Sequence, residues 1–280
     1  MQKGIFDNIS QKCSKIITKA YSTSFSLGIK LLDKRIQEDI YSIYGYVRLG
    51  DEIVDSFHGF DKKELIKQFR QESIDAIERG ISLNPILNNF QSTVNKYKIE
   101  WELINEFIES MELDLEKQDY EISLYEKYIK GSAKNVGLMC LSVFCNNNIE
   151  LYQKLLPHAN ALGSAFQKIN FLRDIKDDHI MLGRVYFPKI DISKFDDYEK
   201  REIEKDIQQD FHSSLEGIQQ LPKSSKHGVY LAYIYYLELL KKIKKIRAKD
   251  ILQHRPRVSN FKKSILLIQS YYHVFISKSI

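Results

Sequence analysis

The chain has 280 residues, a net charge of +5, and only 12 glycines and 5 prolines, a length that suits one large domain and a turn content too low for an all-β fold. Three cysteines (Cys13, Cys140, Cys145) without CxxC spacing exclude a disulfide framework and a thiolate metal site. The longest uncharged runs, 135–149 and 264–277, fall short of the roughly 20 residues that a spanning helix needs.

Helical periodicity begins near the N-terminus, with a first helix expected over 5–20. The leading Met1-Gln2-Lys3-Gly4-Ile5-Phe6-Asp7 lacks the apolar core of a signal peptide, so a cytoplasmic location is expected. The second helix, 33–57, has an inverted pattern. Tyr44, Arg48, Asp51 and Asp55 fall on one narrow stripe, while Ile40, Ile43, Val47, Leu49, Ile53 and Val54 occupy much of the rest. Surface helices show the reverse, a wide polar face with one apolar stripe. A narrow polar stripe on an apolar helix points inward, to a cavity.

Helices follow over 62–79, 85–97 and 100–117. Asp61-Lys62-Lys63-Glu64 reads as a capping box and Asn84-Pro85 as an N-cap with proline at the first helical position. A helix over 124–146 is opened by a second capping box, Ser123-Leu124-Tyr125-Glu126. The next, 150–181, repeats the inverted pattern. Gly163, Gln167, Asn170, Asp174 and Asp178 form its stripe, among Ala161, Ala165, Ile169, Phe171, Leu172 and Ile175. Gly183-Arg184-Val185-Tyr186-Phe187-Pro188 is an ordered loop, and helices over 198–220, 226–248 and 260–277 complete the chain. All five prolines are placed at helix starts or interruptions. Segments 136–145, 229–240 and 265–276, with Tyr41, Tyr44, Tyr46, Tyr233, Tyr235 and Tyr236, supply core and lining. The fold class is all-α, a single-domain helical bundle over 1–280 with a central cavity.

Two DxxxD pairs carry the chemistry. Residues four apart share a helix face, so Asp51/Asp55 and Asp174/Asp178 each present paired carboxylates. One such pair is ordinary in a chain with 37 Asp and Glu; two on inverted backgrounds are not. Buried carboxylates need cations to stay charged. An oxygen-only donor set suits magnesium, with manganese as the alternative ion, completed by substrate phosphates. Arg48 and Arg173, beside the pairs, have the planar fork that binds phosphate oxygens. Apolar walls below such a head imply a ligand with a charged end and a long apolar tail. No Gly-rich dinucleotide turn is present, so no nicotinamide cofactor is expected.

Residues 241–263 hold ten Lys or Arg against one acid, Asp250. The run reads either as a solvated helix end or as a peripheral contact with an anionic membrane surface at the inner face; no nucleic-acid motif accompanies it.

The residues together resemble a known family. Tyr21-Ser22-Thr23-Ser24-Phe25, Tyr44-Gly45-Tyr46-Val47-Arg48-Leu49-Gly50-Asp51-Glu52-Ile53-Val54-Asp55, and Gln167-Lys168-Ile169-Asn170-Phe171-Leu172-Arg173-Asp174-Ile175-Lys176-Asp177-Asp178 are similar to the motifs of the phytoene and squalene synthases. The Gly183–Pro188 loop and Arg255-Pro256-Arg257-Val258-Ser259 follow in the family's order. The resemblance runs over about residues 10–270 and is closest to the bacterial phytoene synthases of carotenoid pathways. It implies the isoprenoid synthase fold and head-to-head condensation of two geranylgeranyl diphosphates through a cyclopropyl diphosphate. Squalene or dehydrosqualene synthesis from farnesyl diphosphate is the near alternative, and a non-catalytic prenyl-lipid carrier the distant one.

Carried over residue by residue, the resemblance makes Asp51, Asp55, Asp174 and Asp178 magnesium ligands. It places Ser22, Ser24, Arg48, Gln167, Asn170, Arg173, Tyr186 and Arg255 on the substrate, with Tyr44, Tyr186 and Tyr236 near the reacting carbons. Two departures stand out. Thr23 occupies a position that is usually lysine, so that one phosphate contact is either lost or supplied by Lys30 or Lys34. Lys130 occupies a usual tyrosine position, with Tyr128 two residues earlier, and Lys130 is expected to face phosphate.

Overall fold

The computed structural model describes residues 2–115, 121–188 and 190–273. Among these the regular elements are all helical. In chain order they are α1 (Gln2–Tyr21), α2 (Thr23–Lys30), α3 (Lys34–Asp55), α4 (Lys62–Arg79), α5 (Pro85–Tyr97), α6 (Trp101–Leu113), α7 (Ile122–Ile129), α8 (Asn135–Cys145), α9 (Ile149–Asp177), α10 (Asp197–Gln220), α11 (Lys223–Lys244), α12 (Ala248–Ile251) and α13 (Asn260–Tyr271). A short 3₁₀ turn, Ile192–Lys194, precedes α10.

Several boundaries differ from the sequence expectation, each for a local reason. The eight-residue α2 escapes a periodicity search, yet Ser22 caps it by accepting from the Phe25 amide at 3.2 Å. The Ser123 capping box does not form: α7 starts at Ile122, so Ser123 lies inside the helix. At α4 the Asp61 carboxylate accepts from the Glu64 amide at 3.1 Å, as a cap should. A reciprocal box occurs instead at Asp196 and Glu199, ahead of α10.

The helix expected over 124–146 is broken by a π turn at Lys130–Lys134. There a Cβ on Gly131 would stand 2.3 Å from the Glu106 carbonyl oxygen, so α6 crosses in direct backbone contact. A second π turn, Asp178–Leu182, ends α9 and closes on Gly183 at φ 65°. Such bulges often mark functional sites. The helix expected over 226–248 ends at Lys244, and α12 is separate. Pro157 interrupts nothing: α9 runs through it for 29 residues. The ends of the helices expected over 100–117 and 260–277 reach outside the described residues.

The core has two lobes. In the first, built on α3 to α6 and α8, Tyr46 is fully buried and stacked on Phe90 at 3.7 Å between ring centres, with Phe69 at 4.8 Å. The Tyr46 hydroxyl is satisfied by Ser73 at 3.1 Å. In the second, built on α9, α10, α11 and the loop after α9, Phe171 stacks on Tyr186 at 4.2 Å. Each such side chain contributes about 1.5–3 kcal/mol by leaving water. A cavity of about 710 Å³ opens between the lobes, lined by both inverted stripes. No helix among the described residues is long and apolar enough to cross a membrane.

Candidate active site

α3 delivers Asp51 and Asp55, and α9 with the π turn that ends it delivers Asp174 and Asp178, to the same cavity. Asp51, Asp55, Asp174 and Asp178 all line it, together with Tyr44, Arg48, Gln167, Asn170, Arg173, Tyr186, Tyr236, Arg255 and Ser22. Of the residues proposed from sequence, Ser24 alone is placed elsewhere. It lines a narrow neighbouring pocket between α2, α11 and α13, because two helical steps, about 200° in all, turn it away from Ser22.

The two pairs are not electrostatically equivalent. Asp174 lies between two guanidinium forks, accepting from Arg173 at 2.8 and 2.5 Å and from Arg255 at 2.6 and 3.0 Å. Asp51 and Asp178 lack such balance. Burial, with the like charges of neighbouring aspartates, raises the Asp51 carboxyl to about 7, against the pull of Arg48. Burial and the charge of Asp174 raise Asp178 to about 7 as well. Arg48 is turned toward Glu52, and its guanidinium lies 4.2 Å above the Tyr21 ring.

Two residues overlooked in the sequence join the pairs. Asp114 caps the C-terminus of α6 and is 7 % exposed. It accepts from the Tyr128 hydroxyl at 2.6 Å and from Tyr186 at 3.1 Å. Arg184, in the loop after α9, donates to Asp55 at 3.1 Å and to the Asp114 carbonyl at 2.6 Å, and lies 3.5 Å from the Asp114 carboxylate. Burial lifts the Asp114 carboxyl to about 6 despite Arg184. Nothing in the local sequence separates Asp114 from an ordinary acid at a helix end. Arg184 stands in a quoted motif, but its reach across 129 residues to Asp55 is a tertiary fact.

The departures resolve differently from expectation. Lys130 points away from the cavity and pairs with Glu106 at 2.5 Å, while Tyr128 faces it. The expected phosphate role of Lys130 is therefore withdrawn: two residues after Tyr128, about 200° round the helix, it lies on the opposite side. Lys30 and Lys34 do not line the cavity; the cation beside Thr23 is Lys263 of α13, donating to its hydroxyl at 3.2 Å.

A magnesium ion fits this donor set. The ligands are all oxygen, and the raised carboxyls of Asp51 and Asp178 mark negative charge that the protein itself leaves unbalanced. Among the described residues no three carboxylate, imidazole or thiolate groups converge as a ready cage. Ligands from a phosphate-bearing substrate would have to complete the coordination.

Below the mouth the cavity becomes apolar. Phe25, Phe166 and Tyr236 form an aromatic collar, with Phe166 and Tyr236 stacked at 4.0 Å, and the Tyr236 hydroxyl donates to Asn170 at 3.3 Å. Tyr44, above Phe25, hydrogen-bonds Ser22 and is pushed up to about 12 by burial, so it stays a neutral phenol. Small residues line the deeper part, including Gly28, Gly137, Ala159, Gly217 and Gly228. At Gly228 a Cβ would lie 2.5 Å from the Gly28 carbonyl, so only glycine allows α2 and α11 to cross there.

The profile described as "Squalene/phytoene synthase" matches residues 18–262. Phytoene synthase 1 of Solanum lycopersicum is 25% identical over 197 residues, covering 68% of this chain and 47% of that protein. The match therefore spans about half of that relative. The 4,4'-diapophytoene synthase of Staphylococcus haemolyticus is 26% identical over 206 residues, covering 70% and 68%. A crystal structure of a dehydrosqualene synthase in complex with ligand superposes with a TM-score of 0.81 at 21% identity, covering 95% of this chain and 97% of that one.

Proposed function

The chain belongs to the squalene/phytoene synthase family, and from that premise we propose that it is a magnesium-dependent phytoene synthase, joining two geranylgeranyl diphosphates head to head. The observation that carries the reading is the meeting of two carboxylate pairs and four arginines in one largely apolar cavity. A diphosphate head and an isoprenoid tail are the two halves of a ligand that such a space accepts.

The chain's own groups have distinct tasks. Arg48, Arg173 and Arg255 receive diphosphate oxygens, with Ser22 at the same rim. Asp51, Asp55, Asp174 and Asp178 hold magnesium, which when bound stabilises the charge on the departing diphosphate. Ionisation breaks the allylic carbon–oxygen bond, and the electron pair leaves with the diphosphate. The double bond of the second substrate attacks the allylic cation, and proton loss closes a cyclopropyl diphosphate. A second ionisation, in which the remaining diphosphate leaves with its electron pair, then rearrangement and proton loss yield phytoene with its central conjugated triene. The faces of Tyr44, Tyr128 and Tyr236 stabilise positive charge, and the apolar walls keep water from quenching it. Asp114 and Arg184 hold Tyr128 and Tyr186 in place.

A second reading, dehydrosqualene synthesis from farnesyl diphosphate, is favoured by the similarity to the staphylococcal enzyme. The small residues along the cavity favour the longer tail. Purified protein with magnesium and either substrate, with products identified by mass, tests both. Phytoene from the longer substrate is expected. Thirty-carbon product from farnesyl diphosphate alone would replace the main reading, and no product from either would leave the carrier.

A further inference from the structure

Helix α1 is packed inside out. Its buried stripe is Ser10, Ser14 and Thr18, each fully buried, with Asn88 and Asn89 donating to the two serines at 3.2 and 2.9 Å. Ser14 fits against Gly45 of α3, where a Cβ would lie 3.0 Å away. Three of its four isoleucines face out instead. Ile5, Ile9 and Ile16 are 65, 46 and 66 % exposed, and their spacing of 4 and 7 residues keeps them on one helix face. Core packing gives no reason for them.

Charge identifies what covers the stripe. α1 holds four lysines and one acid, Asp7. Asp7 accepts from Asn88 at 3.0 Å and pairs with Lys3 at 3.2 Å, and Lys15 pairs with Glu38 of α3 at 2.9 Å. Lys12 and Lys19, both exposed, border the isoleucine face. An apolar stripe with a basic edge is the arrangement of a helix lying in an anionic lipid interface. A second copy would bring the same lysines against each other. The end of α1 also reaches the site: Tyr21 lines the cavity. Lys263, bonded to Thr23, puts the start of α13 beside it, with Phe261 78 % exposed and the basic run adjoining.

We propose that α1 is a membrane-docking helix, which seats the cavity mouth at the surface of an anionic bilayer. Its purpose rests on the reading above, since prenyl diphosphates partition to that surface and a hydrocarbon product dissolves beneath it; the docking itself does not.

The test is co-sedimentation of the full chain with vesicles of phosphatidylcholine, with or without about 30% phosphatidylglycerol. Binding to the anionic vesicles is expected, and about tenfold weaker binding to the neutral ones. Ile9→Glu/Ile16→Glu should lose at least about tenfold in partition while keeping its melting temperature and its turnover of detergent-dispersed substrate. Lys12→Glu/Lys19→Glu should lose about fivefold per charge. Absence of wild-type binding to anionic vesicles, or undiminished binding by the isoleucine variant, overturns the proposal. A lipid-free dimer in sedimentation velocity that Ile9→Glu/Ile16→Glu dissolves would also overturn it, assigning the stripe to a second copy. Because pelleting needs no turnover, inactive protein that still binds would count against the reaction and not against the docking.

Discussion

Replacing Arg184 by alanine tests whether the Asp114 network is an electrostatic unit. Arg184 is 7 % exposed and touches Asp55, Tyr186 and both the carbonyl and carboxylate of Asp114. Its loss leaves the Asp114 carboxylate buried near Asp55 and Asp178 without its guanidinium. Removing one partner of a buried ion pair costs about 3–5 kcal/mol. The pH dependence has a definite sign. The Asp114 carboxyl stands at about 6 in the folded protein against a usual 3.8, so the folded state holds its proton longer than the unfolded chain. Stability therefore falls as pH rises between those values, by about 3 kcal/mol at 1.36 kcal/mol per unit. Without Arg184 the folded value climbs further, and the loss extends to higher pH. Urea unfolding followed by helical circular dichroism, in chelator, should show Arg184→Ala destabilised by about 3–5 kcal/mol at pH 8. At pH 5, with the carboxyl neutral, only lost hydrogen bonds of about 1–2 kcal/mol should remain. Adding Asp114→Asn should recover at least about 1 kcal/mol at pH 8. A pH-independent loss, or strictly additive single effects, would refute the account.

The other predictions concern the same site and its surroundings. Asp51→Asn or Asp178→Asn should abolish turnover yet raise the melting temperature of metal-free protein at pH 8, because each removes a carboxylate that burial penalises. Unchanged melting with retained product formation would contradict both roles. Wild-type protein in chelator should melt at progressively lower temperature between pH 5 and 8, since both carboxyls have folded values near 7, above 3.8. Magnesium should stabilise more at pH 8 than at pH 5.5, as thermal shift would read. Arg255→Ala, which lines the cavity, should raise KM for diphosphate substrate by about tenfold, whereas Lys130→Ala, an exposed pair with Glu106, should leave it unchanged. Gly228→Ala should cost about 1–3 kcal/mol by forcing α2 from α11, measured by denaturation.

Local chemistry fixed most of the helices and both inverted stripes. A 3.6-residue period exposes which face a helix hides, so Asp51, Asp55, Asp174 and Asp178 were readable as cavity residues before any fold was known. The ordered motifs then named the family. Pro157 was misread because proline's helix-breaking tendency is local, while α9 is held on both sides by neighbours. Ser24 and Lys130 were misplaced for a similar reason. Two residues of helical rotation, about 200°, decide which side of a wall a side chain meets.

Long-range pairing was invisible in sequence. Asp114 and Arg184 come from elements 70 residues apart, and only packing makes them one buried network with Asp55. Lys263 reaches Thr23 across 240 residues, restoring a cation where the local motif lacks one. The outward isoleucines of α1 belong to the same class. Their period was plain in the sequence, but which face of α1 is buried was decided by Gly45 and Asn89, which gave Ser14 its place and left the apolar side to solvent.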